Sequence, residues 1–245
     1  MVGKRIEKRA FCAIASEPPR SEWPKIAERA QQWHSLAPDI PLMITAFGLE
    51  AYLPESVPIW CAHTQLFDTP NGRPLLERIK QGQETWFYVN QQPARPYANL
   101  FIDFAGIEHR ILPWQAWALG VRGFHHWCVN HCEPGQDPYA NPADVTPVNG
   151  DGLLLYPGQE GPVDSIRWEI LRDGIEDYDY LAILFERFRK AQQKGVSAAV
   201  LEQAAQALDL KAVVPDLTAF TRDIATLETK RDEIARAIVA LNKVL

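Results

Sequence analysis

Glu17 is the residue of this sequence best placed to do chemistry. It follows the apolar run FCAIA and Ser16, and Pro18 and Pro19 stiffen the turn that presents it. A carboxylic acid in a partly apolar cleft holds its proton through desolvation and can deliver it to a leaving oxygen as a general acid. The competing reading is a solvated loop glutamate. A second cluster, His125 to Cys132 in HHWCVNHC, carries ligand types that suit zinc. Strand alternation separates His126 and Cys128 from His125, and no second paired-ligand motif stands elsewhere to complete four-coordination, so no metal and no cofactor are expected. Arg110, Arg167, Arg172, Asp173, Glu176 and Asp177 lie in or beside helical patterns, where an ion-pair network explains them.

The elements that must position these side chains are legible as short apolar runs bounded by turn residues. They are FCAIA from Phe11, PLMITA from Pro41, PIWCA from Pro58, TWFYV from Thr85 and GFHHWCV from Gly123. Nearly continuous apolar character suits strands covered on both faces, as in parallel α/β sheets. Between them, a helix is expected from Ser21 to Leu36 with Ser21 as its cap, a short one from Pro74 to Gln81, and another from Leu112 to Leu119. The gap from Ala46 to Val57 is long enough for a loop with one helical turn. Ser16 and Glu17, His63, Asn90 and Asn130 follow the carboxyl ends of the runs, the edge where α/β barrels and open sheets do their chemistry.

From Val163 onward the pattern is helical. A long helix begins at a Ser165 cap and stops before Gly195, and a second runs near Ser197 to Leu208. A third follows Pro215, with Leu217, Phe220, Ile224, Leu227, Ile234, Ile238 and Leu241 forming a stripe that Arg231 interrupts. The expected organisation is therefore residues 1–162 as a partial β/α barrel and 163–245 as helices packing on it. The 162 residues before Val163 compare with about 250 for a complete eight-unit barrel, so about five units fit. The fold class is α/β, a partial TIM-like barrel followed by a helical segment. Its unpaired edges would need an upstream polypeptide, a second copy of the chain, or aggregation to cover them.

Composition narrows the partners. A net charge of −6, from 25 Lys plus Arg against 31 Asp plus Glu, opposes nucleic-acid binding. No apolar stretch approaches the roughly 20 residues that cross a bilayer, and the opening MVGKRIEKRAFCAIASEPP has too short an apolar run for a secretory signal. Four dispersed cysteines leave the redox compartment open, and no localisation is read from the sequence.

Three segments together carry a resemblance: FCAIASEPP; TWFYVNQQPARPYANLFIDFAGIEHRILPWQAWALGVRGFHHW; and GDGLLLYPGQEGPVDSIRWEILRDGIEDYDYLAIL. Over Phe11 to Phe188 the chain resembles the carboxyl-terminal catalytic region of glycoside hydrolase family 123 and the related domain of unknown function 4091, most specifically in the turn Tyr156, Pro157, Gly158 and in RDGIEDYDYL. The resemblance implies a TIM-like barrel and release of β-linked N-acetylgalactosamine. In that mechanism the 2-acetamido group attacks the anomeric carbon, an Asp stabilises it, and the adjacent Glu protonates the leaving oxygen. The family's Asp-Glu-Pro falls on Ser16, Glu17 and Pro18. Ser16 cannot supply the charge of the missing Asp. A different nucleophile, a weak enzyme, or a carbohydrate-binding remnant all fit that replacement. The resemblance further implies a sugar subsite of Trp60, Trp86, Tyr88, Trp127, Asn130 and Tyr156, aromatic faces and amides suited to a saccharide. For each Trp taken singly, a core position is the alternative.

Overall fold

In a computed structural model of the protein, residues 10–48, 56–143 and 148–245 are described. The expected loop from Ala46 to Val57 falls largely outside them. The structure divides into two compact units, one of residues up to Val89 together with Gly120–His126, the other of Asn90–Leu119 and Trp127–Leu245. The texture change expected at Val163 falls inside a small hairpin of the second unit.

Five parallel strands form the first unit: β1 (Cys12–Ser16), β2 (Leu42–Ala46), β3 (Ile59–His63), β4 (Thr85–Val89) and β5 (Gly123–His126). They pair strictly in sequence order, a half-barrel with flanking helices α1 (Trp23–Leu36) and α2 (Arg73–Lys80). Every residue of β2 and β3 is buried, which is why their sequences are apolar without alternation. The edge strands β1 and β5 are less covered. Alternation sorts the side chains into two layers. Met43, Ile59, Cys61 and Tyr88 cluster on one face with Trp86 packed against them. On the other, the Trp60 indole stacks at 5.6 Å on Trp23 of α1, beside buried Ile26 and Ala30.

Helix α1 departs from expectation at its start. A 3₁₀ turn at Arg20–Glu22 precedes it, and its N-cap is Glu22 with no side-chain cap bond, so Ser21 is not the cap. Pro24 in the first turn costs no hydrogen bond there, because that N–H would be unsatisfied anyway.

The second unit contains α3 (Gly106–Leu119), the antiparallel pair β6 (Leu155–Pro157) and β7 (Pro162–Asp164), and the helices α4 (Ile166–Gln193), α5 (Ala198–Leu208) and α6 (Ile224–Asn242). Helix α3 begins six residues earlier than the sequence suggests and carries Pro113 inside it. Helix α4 packs against α3, α5 and α6, and begins as expected, with the Ser165 hydroxyl accepting from the Trp168 N–H at 3.2 Å. Gly174 allows the close approach of α3 and α4. A Cβ there would stand 2.6 Å from the Arg110 carbonyl oxygen. Helix α6 starts at an Asp223 cap, so Leu217 and Phe220, expected on its stripe, instead pack from the segment before it. Arg231 interrupts the stripe because its Nε donates at 2.6 Å to the buried Asp177 on α4, which also accepts from Arg110 and from the Trp114 indole of α3.

Candidate active site

β1 ends at Ser16, and the chain turns sharply. Glu17 has φ +46°, the one non-glycine residue at positive φ among those described. For a residue with a long side chain this conformation costs roughly 1–3 kcal/mol and persists only where neighbours over-determine it. Thr45, near the end of β2, supplies part of that constraint. The Glu17 N–H donates to the Thr45 carbonyl at 3.0 Å and lies 3.2 Å from its hydroxyl, which itself donates to Ser16 Oγ at 3.0 Å. From β4, the Tyr88 hydroxyl donates to Glu17 Oε1.

Tyr88 is a firmly held donor. Its ring is 3% exposed, its carbonyl accepts from the Thr64 hydroxyl at 2.8 Å, and burial, with the Glu17 carboxyl as a second cause, pushes its pKa well above the ordinary phenol value. The phenol therefore stays protonated. His63 of β3, also buried, lies edge-on to Tyr88 at 5.3 Å and contacts the Phe47 ring at 4.6 Å. His125 of β5 approaches Tyr88 at 6.5 Å, and burial lowers its pKa, so it is neutral at pH 7. Thr45, Phe47 and His125 are not assigned to the site from sequence, which places His63 only at the carboxyl-end edge. The parallel register carries the missing signal, since it sets Ser16 beside Thr45, and His63, Tyr88 and His125 abreast.

Of the aromatic residues expected around Glu17, Trp60 is corrected. It is 0% exposed, its indole N–H donates to the Val57 carbonyl at 2.8 Å, and it belongs to the layer facing α1. Alternation puts it with Ala62, opposite Cys61 and His63. Trp86 shares the Tyr88 face but stands two residues, about 7 Å, toward the amino end of β4. It packs edge-on to Phe11 and over Gly123, where a Cβ would come within 2.2 Å of the indole.

The remaining expected residues lie in the second unit. Trp127, 40% exposed, donates its indole N–H at 3.1 Å to Asp151, whose pKa burial raises, and rests over Gly152. Asn130 is exposed and accepts from the Cys128 thiol. Tyr156 on β6 packs at 5.1 Å against Tyr139, and its hydroxyl accepts from the buried Arg167 at 3.4 Å. Both tyrosines line a cavity of about 580 Å³, with Ile102, Phe104, His109 and Ile166 among its other walls. Of the histidines in HHWCVNHC, His126 Nδ1 bonds the Val89 carbonyl and His131 packs on Trp127. Among the described residues no three His, Cys, Asp or Glu side chains group as metal ligands.

The model of the glycoside hydrolase 123 catalytic domain matches residues 6–184. The chain belongs to glycoside hydrolase family 123. The solved structure of a family 123 glycoside hydrolase from Clostridium perfringens, described for glycolipid glycan hydrolysis, is similar to this family 123 chain with TM-score 0.62 at 13% identity. The likeness covers 99% of this chain and 43% of that one, so the family 123 chain spans less than half the length of that relative. A comparison with curated proteins finds no match.

Proposed function

We propose that this family 123 chain carries the proton-donating half of a glycosidase site, with Glu17 as general acid to the leaving oxygen of a carbohydrate or glycolipid substrate. The observation that carries the reading is the presentation of Glu17: its carboxyl, at the carboxyl end of β1, accepts from Tyr88, and its backbone, bonded to Thr45, takes a conformation that a glutamate does not adopt by default. The substrate class follows the family, whose relative is described for glycolipid glycans. β-Linked N-acetylgalactosamine is the sugar to test first. Trp86, Trp127, Asn130 and Tyr156 are the proposed saccharide contacts, and Tyr88 is proposed to serve the site through Glu17.

Ser16 favours a second reading, a carbohydrate-binding protein that has kept the cleft and lost the chemistry. It offers one hydroxyl where the family mechanism uses a carboxylate, and the lost charge stabilisation is worth several kcal/mol. The test is hydrolysis of aryl β-N-acetylgalactosaminides and other aryl glycosides by the chain and by its Glu17→Gln variant. The proposal expects turnover that falls about 10²-fold or more in the variant. Turnover that survives the substitution removes Glu17 from the acid role. Saccharide binding without turnover establishes the second reading.

A further inference from the structure

A proton donor is useful only if its carboxyl meets the leaving oxygen at hydrogen-bond distance and in a set direction, and an error of about 1 Å costs on the order of 10²-fold. Glu17 follows the last residue of an edge strand, where a side chain is ordinarily free to swing. Here Thr45 and Tyr88 both act on it. Thr45 engages the start of the turn, its carbonyl and hydroxyl at the Glu17 backbone N–H and its hydroxyl proton at the Ser16 side-chain Oγ. Tyr88 engages the carboxyl itself.

The Tyr88 phenol cannot follow the carboxyl if it moves. Its ring is packed with Met43, Ile59 and Cys61, bracketed edge-on by His63 and His125, and its backbone is tied by Thr64. Its one hydroxyl proton is spent on Glu17, which leaves only an oxygen lone pair for any ligand.

We infer that Tyr88 and Thr45 are positioning residues for Glu17, fixing the carboxyl and the turn that presents it, and that Tyr88 acts through Glu17 rather than by gripping the sugar. This rests on Glu17 being the proton donor, and the experiment separates the two.

Phenyl and 2,4-dinitrophenyl β-N-acetylgalactosaminides differ in how much protonation their leaving groups need, the dinitrophenolate departing without it. With the full chain, Tyr88→Phe is expected to lower kcat on the phenyl glycoside about 10²-fold while changing the dinitrophenyl rate less than about threefold, with KM unchanged on both. Thr45→Val is expected to act in the same sense at about tenfold, and Thr45→Ser to restore the rate. Equal losses on the two substrates would reveal a merely structural role and overturn the inference, as would a rise in KM alone, the mark of a sugar contact.

A readout independent of turnover is the Tyr88 hydroxyl proton in NMR. It is expected downfield in the native chain, absent in Tyr88→Phe, and displaced upfield in Glu17→Gln. If Glu17→Gln leaves that resonance in place, the contact is not the one that holds Glu17 and the inference fails, whatever the fate of the acid assignment. If the resonance behaves as expected but Glu17→Gln leaves turnover intact, the acid assignment alone fails, and the contact stands as a hold on a carboxyl with another task.

Discussion

Ser16 Oγ receives the Thr45 hydroxyl proton, so the position is furnished with a donor before any substrate arrives. A carboxylate there would accept that bond and supply the negative charge the acetamido-assisted reaction uses. Ser16→Asp is therefore expected to raise kcat/KM on an N-acetylgalactosaminide by about tenfold or more, with little gain on an aryl galactoside that lacks the acetamido group. A parallel rise on both substrates would show that the charge does not act through that group. At this scale the sequence was informative where chain position alone decides the matter. Glu17 was legible because it follows an apolar run and precedes two prolines. Trp60 was misassigned because aromatic content does not report which face of the strand a residue occupies. The phase comes from packing on α1, in particular from Trp23. Thr45 and Tyr88 meet Glu17 across 28 and 71 residues of chain, pairings that parallel register creates and no local pattern announces.

Asp177 on α4 is 0% exposed and draws together Arg110 and Trp114 of α3 and Arg231 of α6, while Arg110 also pairs with Glu228. Removing this buried anion leaves Arg110 and Arg231 facing each other with only the half-exposed Glu228 to offset their charge. Asp177→Ala is expected to destabilise the second unit by roughly 3 kcal/mol or more, measured by urea unfolding. The same measurement on Arg172→Ala is expected to show under about 1 kcal/mol, because Arg172 and its partners Glu169, Asp173 and Glu176 are half exposed on a single helix. The contrast explains why six charged residues that look alike in sequence are not equivalent. The elements themselves were largely legible from the apolar runs and the Ser165 cap. The early start of α3 was hidden because Pro113 reads as a helix breaker, and the β6–β7 pair because three-residue strands leave almost no pattern.

Net charge and burial act on the whole molecule through pH. His109 is 2% exposed with Nε2 on the Phe101 carbonyl, and burial lowers its pKa to about 4 from an ordinary value of 6.5. Between those two pH values the unfolded chain binds a proton that the folded chain refuses. Stability is therefore highest above pH 6.5 and falls as the pH drops toward 4, by about 3 kcal/mol from this residue. His125, shifted the same way by burial, adds to the trend. Thermal unfolding at pH 7 and pH 5 is expected to show the lower Tm at pH 5, with the difference reduced in His109→Gln. No helix among the described residues is long and apolar enough to cross a membrane. The five-stranded order β1 to β5 has a geometric corollary, because all strands run one way and the sheet ends in two unlike rims. Joining rim β1 to its own copy about a twofold axis perpendicular to the sheet runs the two strands antiparallel and stops at a pair. Among the described residues, joining rim β5 of one copy to rim β1 of the next would keep every strand parallel and leave the same two rims at the ends each time, so that mode of contact would grow into a series unless curvature closed it into a ring. Light scattering against concentration tells a terminating pair from an open-ended series.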